Sequence, residues 1–397
     1  VPATPKLDLW PESDFISYQF QRLVAMTGTG GTDIGECLHA AATIDPDDPD
    51  TSTEAWVKLA QEVEAIADDP NRSARTRRDA HLRACNYWRS AEFLLAYSDP
   101  LKMEYFLNCQ NAFLAAIPDL PHVIEPVQIP YQDSVLEAYF VHPEGEVPQP
   151  WPVVIFSGTW VTGKEEHYFA IGRILAERGF AVLLLDAPGE WATLRLHDVP
   201  VRPDYESGIS VAVDWLTARP EIDAKRVGLI GWGGGAHYTV RAAAREPRIA
   251  ACVAWNAWWG FGEEDVQEWR EALAEVSSLE ELVENAFKRE SDDIYWGPIE
   301  ADFWVKRAGT SDFEEFLGVL AAHNLDGVLQ DLTCPLLVVH GADDGPEDAE
   351  RTYAEAGSSD KTLIMYGVGE PGSRHIQVDG ISRAQADIAD WFERRLA

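Results

Sequence analysis

The most constraining stretch of this chain is Gly231-Trp232-Gly233-Gly234-Gly235. The apolar run Val227-Gly228-Leu229-Ile230 precedes it and reads as a buried strand; Ala236 through Ala244 follows and reads as a helix. Glycines at the first and last positions permit a sharp strand-to-helix turn with close backbone approach. The flanks fit the pattern G-x-S-x-G, in which such a turn lifts a serine hydroxyl to the top of a sheet. Gly233 stands where that pattern has serine. With glycine there, no covalent ester can form at this position.

At 397 residues the chain is long for one domain, so a large domain plus a second unit is expected. Hydrophobic residues make up 46%, enough for a sizeable core. The 15 tryptophans and 15 phenylalanines are many; most read as core, and some are expected to line a cleft for an apolar ligand. A net charge of −35 argues against nucleic acid and anionic membranes as partners and leaves a small-molecule substrate. The one basic cluster, Arg72, Arg75, Arg77, Arg78 and Arg83, reads as the solvated, ion-paired face of a helix. Five cysteines, an odd number without C-x-x-C spacing, read as reduced thiols in a cytoplasm, mostly buried. No signal peptide and no run of 18 apolar residues is apparent, so neither secretion nor a membrane span is expected.

Residues 1–122 read as helical, with helices over Asp14 to Met26, Ser73 to Tyr97 and Pro100 to Ile117, and a capping box at Thr51 to Glu54 ahead of Trp56. From residue 123 the period changes. Val127 to Pro130 and Val135 to Val141 alternate like an antiparallel pair. Strand and helix signals then alternate. Strands are expected at Val153 to Phe156, Ala181 to Leu185, Val227 to Ile230, Ala250 to Trp255, Pro335 to Val339 and Leu363 to Tyr366, and helices at His167 to Arg178 and Tyr205 to Ala218. Such alternation means a mostly parallel, doubly wound sheet. Residues 263–328 interrupt it with a helical, acidic stretch and a capping box at Ser277 to Glu280. That is too long for a loop and reads as a lid. The expected organisation is a helical N-terminal cap (1–122), a core (123–262 and 329–397) and the lid (263–328).

The elbow is that of the α/β-hydrolase fold, where the chain order is nucleophile, acid, histidine. The acid should end a late strand, and Val338-Val339-His340-Gly341-Ala342-Asp343-Asp344 supplies it as Asp344 in preference to Asp343. The histidine should follow the last strand, and no histidine lies beyond His340 except His375. An oxyanion hole on this fold uses the amide after the nucleophile, here Gly234, and one from the loop Ser157-Gly158-Thr159-Trp160, either Thr159 or Trp160. Both donors are backbone groups and survive the loss of serine.

Phe156-Ser157-Gly158-Thr159 running to Gly163-Lys164-Glu165-Glu166 resembles the oxyanion segment of the 2,6-dihydroxypseudooxynicotine hydrolase family, an FrsA-like group of α/β-hydrolases. So do Asp186-Ala187-Pro188-Gly189, the elbow, Glu246 to Cys252, and Thr333-Cys334-Pro335 leading into His340-Gly341. The resemblance covers about residues 125–397. It implies an α/β-hydrolase core with an N-terminal helical cap, the Asp344–His375 pair, and neither metal nor organic cofactor. The group includes C–C bond hydrolases, esterases and polyketide-shortening hydrolases, and some acetate-eliminating enzymes of tetronate polyketide pathways are similar in fold. The chain departs from the pattern at Gly233, at Trp191 where a second glycine often follows Pro188-Gly189, and in a longer insertion around Arg289 to Asp312.

Three readings of Gly233 stand open. His375, poised by Asp344, acts as general base for β-elimination of an acyloxy group or for C–C cleavage by water. Or the chain is a serine-to-glycine inactivated form of a serine hydrolase. Or it is a non-catalytic binder that keeps an old cleft. Residues expected to line that cleft are Trp232, Trp160, Trp191, Asn256, Trp258 and Trp259, with Glu190 and Tyr205 as polar contacts, around a flat, conjugated substrate such as a polyketide or aromatic ketone. The helical unit offers a surface for a homodimer.

Overall fold

A computed structural model describes residues 7–159, 161–288 and 296–396. It divides into two compact units: Ile124–Glu284 with the chain from Trp304 onward, and Pro5–Val123 with Asn285–Phe303.

The second of these is helical, with Asp14–Ala25, Ile34–Ala41, Pro49–Ala67, Ala74–Phe93 and Pro100–Ala116. Polar caps fix the starts. Asp48 and Asp99 each accept an amide from the first turn, and each is followed by a proline whose fixed φ suits the first helical position. The capping box expected at Thr51 to Glu54 is therefore not the helix start. The helix begins at Pro49, and Thr51 Oγ1 donates instead to the carbonyls of Asp45 and Asp48. Trp56, Leu59 and Val63 share the buried face of that helix, with Trp56 stacked on Tyr87. The arginine cluster is ion-paired to Asp69, Asp79 and Glu36, apart from Arg77, which donates to the Ala67 carbonyl.

The other unit is built on an eight-stranded sheet: β1 Ile124–Tyr131, β2 Ser134–Val141, β3 Trp151–Ser157, β4 Ala181–Asp186, β5 Ile222–Trp232, β6 Ala251–Trp255, β7 Leu336–Gly341 and β8 Lys361–Tyr366. Their order is β1-β2-β4-β3-β5-β6-β7-β8. The β1–β2 and β2–β4 pairs are antiparallel and the rest are parallel, which is the α/β-hydrolase fold. Strands β4, β6 and β7 are buried along their whole length, which is why they read as continuous apolar runs rather than alternating ones. The helix expected from His167 begins earlier, at Lys164, and passes through a π turn at Tyr168–Gly172 into Arg173–Glu177.

Between β6 and β7 the chain inserts helices Glu263–Leu273, Leu279–Lys288, Trp296–Ala308 and Phe313–Ala322. Residues 289–295, part of the long insertion noted in the sequence, lie outside the described residues. The cap of the second helix falls one residue later than expected: Ser278 Oγ accepts the Glu281 amide, and the Glu281 carboxylate accepts the Ser277 amide. The insertion closes where Phe261 donates to the His323 carbonyl at 2.8 Å. Among the described residues no helix is long and apolar enough to cross a membrane.

Candidate active site at the carboxyl ends of the strands

In a parallel sheet the loops at the carboxyl ends of the strands carry the chemistry. Here β5 ends at Trp232, just before Gly233; β6 at Trp255, just before Asn256; β7 at Gly341, three residues before Asp344; and the loop after β8 carries His375. Three of the four elbow glycines, Gly231, Gly233 and Gly235, differ in what they tolerate. A Cβ on Gly231 would lie 2.3 Å from the Gly235 carbonyl oxygen, and one on Gly235 would lie 2.0 Å from the Gly158 carbonyl oxygen. Neither position has room for a side chain. Gly233 does: its nearest neighbour would be His375 Nε2 at 3.5 Å, an ordinary contact distance. Its backbone is left-handed, φ 54° and ψ −126°, held by the Gly233 amide donating to the Trp255 carbonyl at 2.9 Å. That is the turn in which the fold presents a nucleophile.

His375 Nδ1 lies 2.7 Å from Asp344 Oδ2. Burial pushes the Asp344 carboxyl up, but the hydrogen bond and charge of His375 and the Asn256 amide outweigh it and hold the group below the usual carboxylate range. The structure thus brings Gly233, Asp344 and His375 together, with Nε2 facing the position where serine would stand. Gly234 opens the helix Gly234–Arg245, where an amide has no acceptor inside the helix. The Thr159 amide, expected as an oxyanion donor, instead donates to Thr162 Oγ1 at 3.0 Å. Trp160 lies outside the described residues.

Most of the side chains expected to line the cleft belong to the interior instead. Trp232 is fully buried against Phe156 and Trp255, because the residue before the turn points back into the sheet's packing. Trp191 packs its ring where a Cβ on Gly163 would lie, with Arg195 over its other side. Trp259 is pinned by its amide to Asp348 and by its indole to Asp326. Trp258 is half-buried beside His237 and Phe261. Asn256 bonds to Asp344 and to the His375 loop. Thr162 and Gln377 were not singled out in the sequence. Thr162 Oγ1 gathers the Thr159 amide, the Trp232 indole and the His167 ring; Gln377 bridges Trp255, Asn256 and Arg374. A lone threonine or glutamine in a loop carries no pattern that would reveal this.

Glu190 and Tyr205 form a buried polar cluster under the loop that follows β3. Tyr205 donates to Glu190 Oε1 at 2.6 Å and also contacts Ser157 Oγ; Ser157 and the Ala187 amide donate to Glu190 Oε2. Arg307 joins from the insertion, donating to the Gly189 carbonyl and to Tyr238, whose ring stacks on Tyr205. Burial pushes the Glu190 carboxyl up to about 7, against the pull of Tyr205, the Ala187 amide, Arg307 and Ser157. Lys164, at the end of the same loop, is buried in ion pairs with Asp186 and Glu165.

The raised Glu190 has a consequence for stability. Between the ordinary glutamate range and about pH 7 the folded chain holds a proton that the unfolded chain has lost. Stability therefore falls as pH rises through that window and stays low above it. Glu190→Gln removes the titration. Urea midpoints at pH 5 and pH 8 are expected to show the parent losing on the order of 3 kcal/mol more than the variant.

The comparisons agree with this fold. A crystal structure of 2,6-dihydroxy-pseudo-oxynicotine hydrolase superposes with a TM-score of 0.73 over 95% of this chain and 96% of that one, at 22% identity, which is a likeness of fold. The α/β-hydrolase xenA of Xenoacremonium sinensis is 27% identical over 370 residues, 87% of this chain and 85% of its own. The 20-hydroxy-prefusarin hydrolase FUS2 of Gibberella moniliformis is 32% identical over 254 residues, 61% of this chain and 60% of its own. Residues 53–258, just over half of the chain, match the family described as esterase FrsA-like, and with the sheet and elbow above this makes the chain a member of the FrsA-like family within the α/β-hydrolase enzymes.

Proposed function

We propose that this chain eliminates a carboxylate from a β-acyloxy carbonyl compound, with His375 as general base and no covalent intermediate. The observation that carries the reading is the position of His375 Nε2, 3.5 Å from where a Cβ of residue 233 would stand, with Nδ1 tied to Asp344. A base so held, with glycine beneath it, meets substrate rather than a hydroxyl. Nε2 takes the proton α to the carbonyl. The carbonyl oxygen gathers the charge as an enolate against the Gly234 amide. The enolate electron pair then forms the double bond as the bond from the β-carbon to oxygen breaks, and the carboxylate leaves with both of its oxygens. The imidazolium returns its proton to solvent. C–C cleavage would need the same base to activate a water as well; elimination needs only the groups described.

The relatives are named as hydrolases, one of them of 20-hydroxy-prefusarin, which suits a mid-sized carbonyl substrate. Incubation with a β-acyloxy ketone is expected to release enone and carboxylate in equal amounts, followed by NMR; a β-hydroxy ketone as first product would contradict the reading. A second reading is favoured by the same space: a serine would fit at position 233, so the chain is a serine hydrolase that has lost its nucleophile. The two readings separate on whether the chain as it stands turns over.

A further inference from the structure

We propose that Asn256 is a positioning residue that fixes the imidazole of His375 with its proton on Nδ1 and its lone pair on Nε2, aimed at position 233. The inference rests on reading His375 as the base. Asn256 Nδ2 donates to Asp344 Oδ2 at 2.7 Å, the same oxygen that lies 2.7 Å from His375 Nδ1. Its Oδ1 accepts the Ile376 amide at 3.0 Å and the Gln377 side-chain amide at 3.2 Å. The reversed orientation of the amide would set oxygen against carboxylate and NH2 against an N–H, so the partners fix which end is which.

Asp344 sets the tautomer, and Asn256 acts on it by holding Asp344 in place. Asn256 Nδ2 also lies 3.1 Å from His375 Nδ1 and would donate to it if that nitrogen were bare. A bare Nδ1 at 2.7 Å from a carboxylate oxygen would oppose two lone pairs. Nδ1 therefore carries the proton, and the amide and the imidazole both donate to Asp344 Oδ2. Asn256 thus holds the carboxylate from one side and the backbone after His375 from the other, fixing both the acceptor that Nδ1 meets and the backbone from which the ring projects.

Backbone conformation supports the assignment. Asn256 has φ 65°, Ile376 φ 43° and Gln377 φ 55°, a left-handed region that residues other than glycine seldom adopt. Isoleucine there is costly, and the cost persists only where surrounding contacts over-determine the loop. The Asn256 carbonyl oxygen makes two of those contacts. Asparagine is the polar side chain best suited to its own left-handed position, since its amide tolerates that backbone and still reaches both neighbours.

Two variants test this. Asn256→Asp keeps the shape, the tolerance of positive φ and the acceptor toward Ile376, but replaces the donor with an oxygen facing Asp344. Asn256→Gly keeps the backbone without strain and removes both ends. The readout is the nitrogen spectrum of 15N-histidine-labelled protein without substrate, which distinguishes Nδ1–H from Nε2–H imidazole and shows the hydrogen-bonded Nδ1 proton far downfield. In both variants the downfield proton is expected to vanish and His375 to populate both tautomers; elimination should fall by about 10²-fold from the lost alignment. Retention of the parent tautomer and downfield proton in either variant overturns the proposal. If the tautomer is lost as expected but the parent eliminates nothing, the reading of His375 as base fails and the positioning role stands.

Discussion

His375→Ala is expected to lower turnover of a β-acyloxy ketone by about 10²–10⁴-fold, the range over which a positioned general base contributes. The fold should be unaffected. The ring stands at the carboxyl edge of the sheet with 41% of its side chain exposed, and its partner Asp344 keeps the Asn256 amide when the ring is gone. Steady-state rates set against urea midpoints separate the two effects. A variant that loses rate without losing stability places the proton transfer on His375. A variant that keeps its rate removes His375 from the chemistry, and the buried polar groups cannot substitute: Glu190 and Lys164 are sealed in their own networks.

Gly233→Ser is expected to convert a chain that serine-directed phosphonates do not label into one labelled once per molecule. The added Cβ would rest 3.5 Å from His375 Nε2, and Oγ, one bond further, falls within reach of a hydrogen bond to it. In the proposed reading the Gly234 amide would hold the tetrahedral oxygen. A serine at φ 54° costs about 1–2 kcal/mol of backbone energy, which a core of this size absorbs. Intact mass after phosphonate treatment and the burst on an activated ester both report it. The same hydroxyl would stand between the base and substrate carbon, so elimination by the variant should drop. Absence of labelling would mean that Nε2 is not directed at position 233, which removes the geometric basis of the proposal.

The fold was legible because its signals are local. β4, β6 and β7 are apolar runs of five or six residues, and the alternation of strand and helix leaves little choice but a parallel sheet. The elbow and the chain order placed Gly233, Asp344 and His375 in one neighbourhood, and the structure does bring them within contact. The cleft lining was not legible, for a physical reason. Trp232, Trp191 and Trp259 sit beside the active loops in sequence, but a large aromatic next to a tight turn is as well suited to wedging that turn from below as to facing solvent. Gly163 against Trp191 shows the former. Asn256 read as a substrate contact because it follows a core strand; its left-handed backbone turns its amide toward Asp344 and Ile376, and nothing in the sequence announces a positive φ at an asparagine. The helix starts moved for a similar reason: Asp48-Pro49 outcompetes Thr51 as a cap because proline presets the first turn.

The most direct measurement is the oxygen isotope content of the carboxylate released from a β-acyloxy ketone in H2(18)O. An enone alone does not decide the matter, since a β-hydroxy ketone formed by hydrolysis can lose water afterwards. The oxygens decide it. Elimination breaks the bond between the β-carbon and oxygen, so the carboxylate is expected to leave with no label. One 18O atom per carboxylate would mean attack of water at the acyl carbon, and general-base elimination by His375 would be excluded.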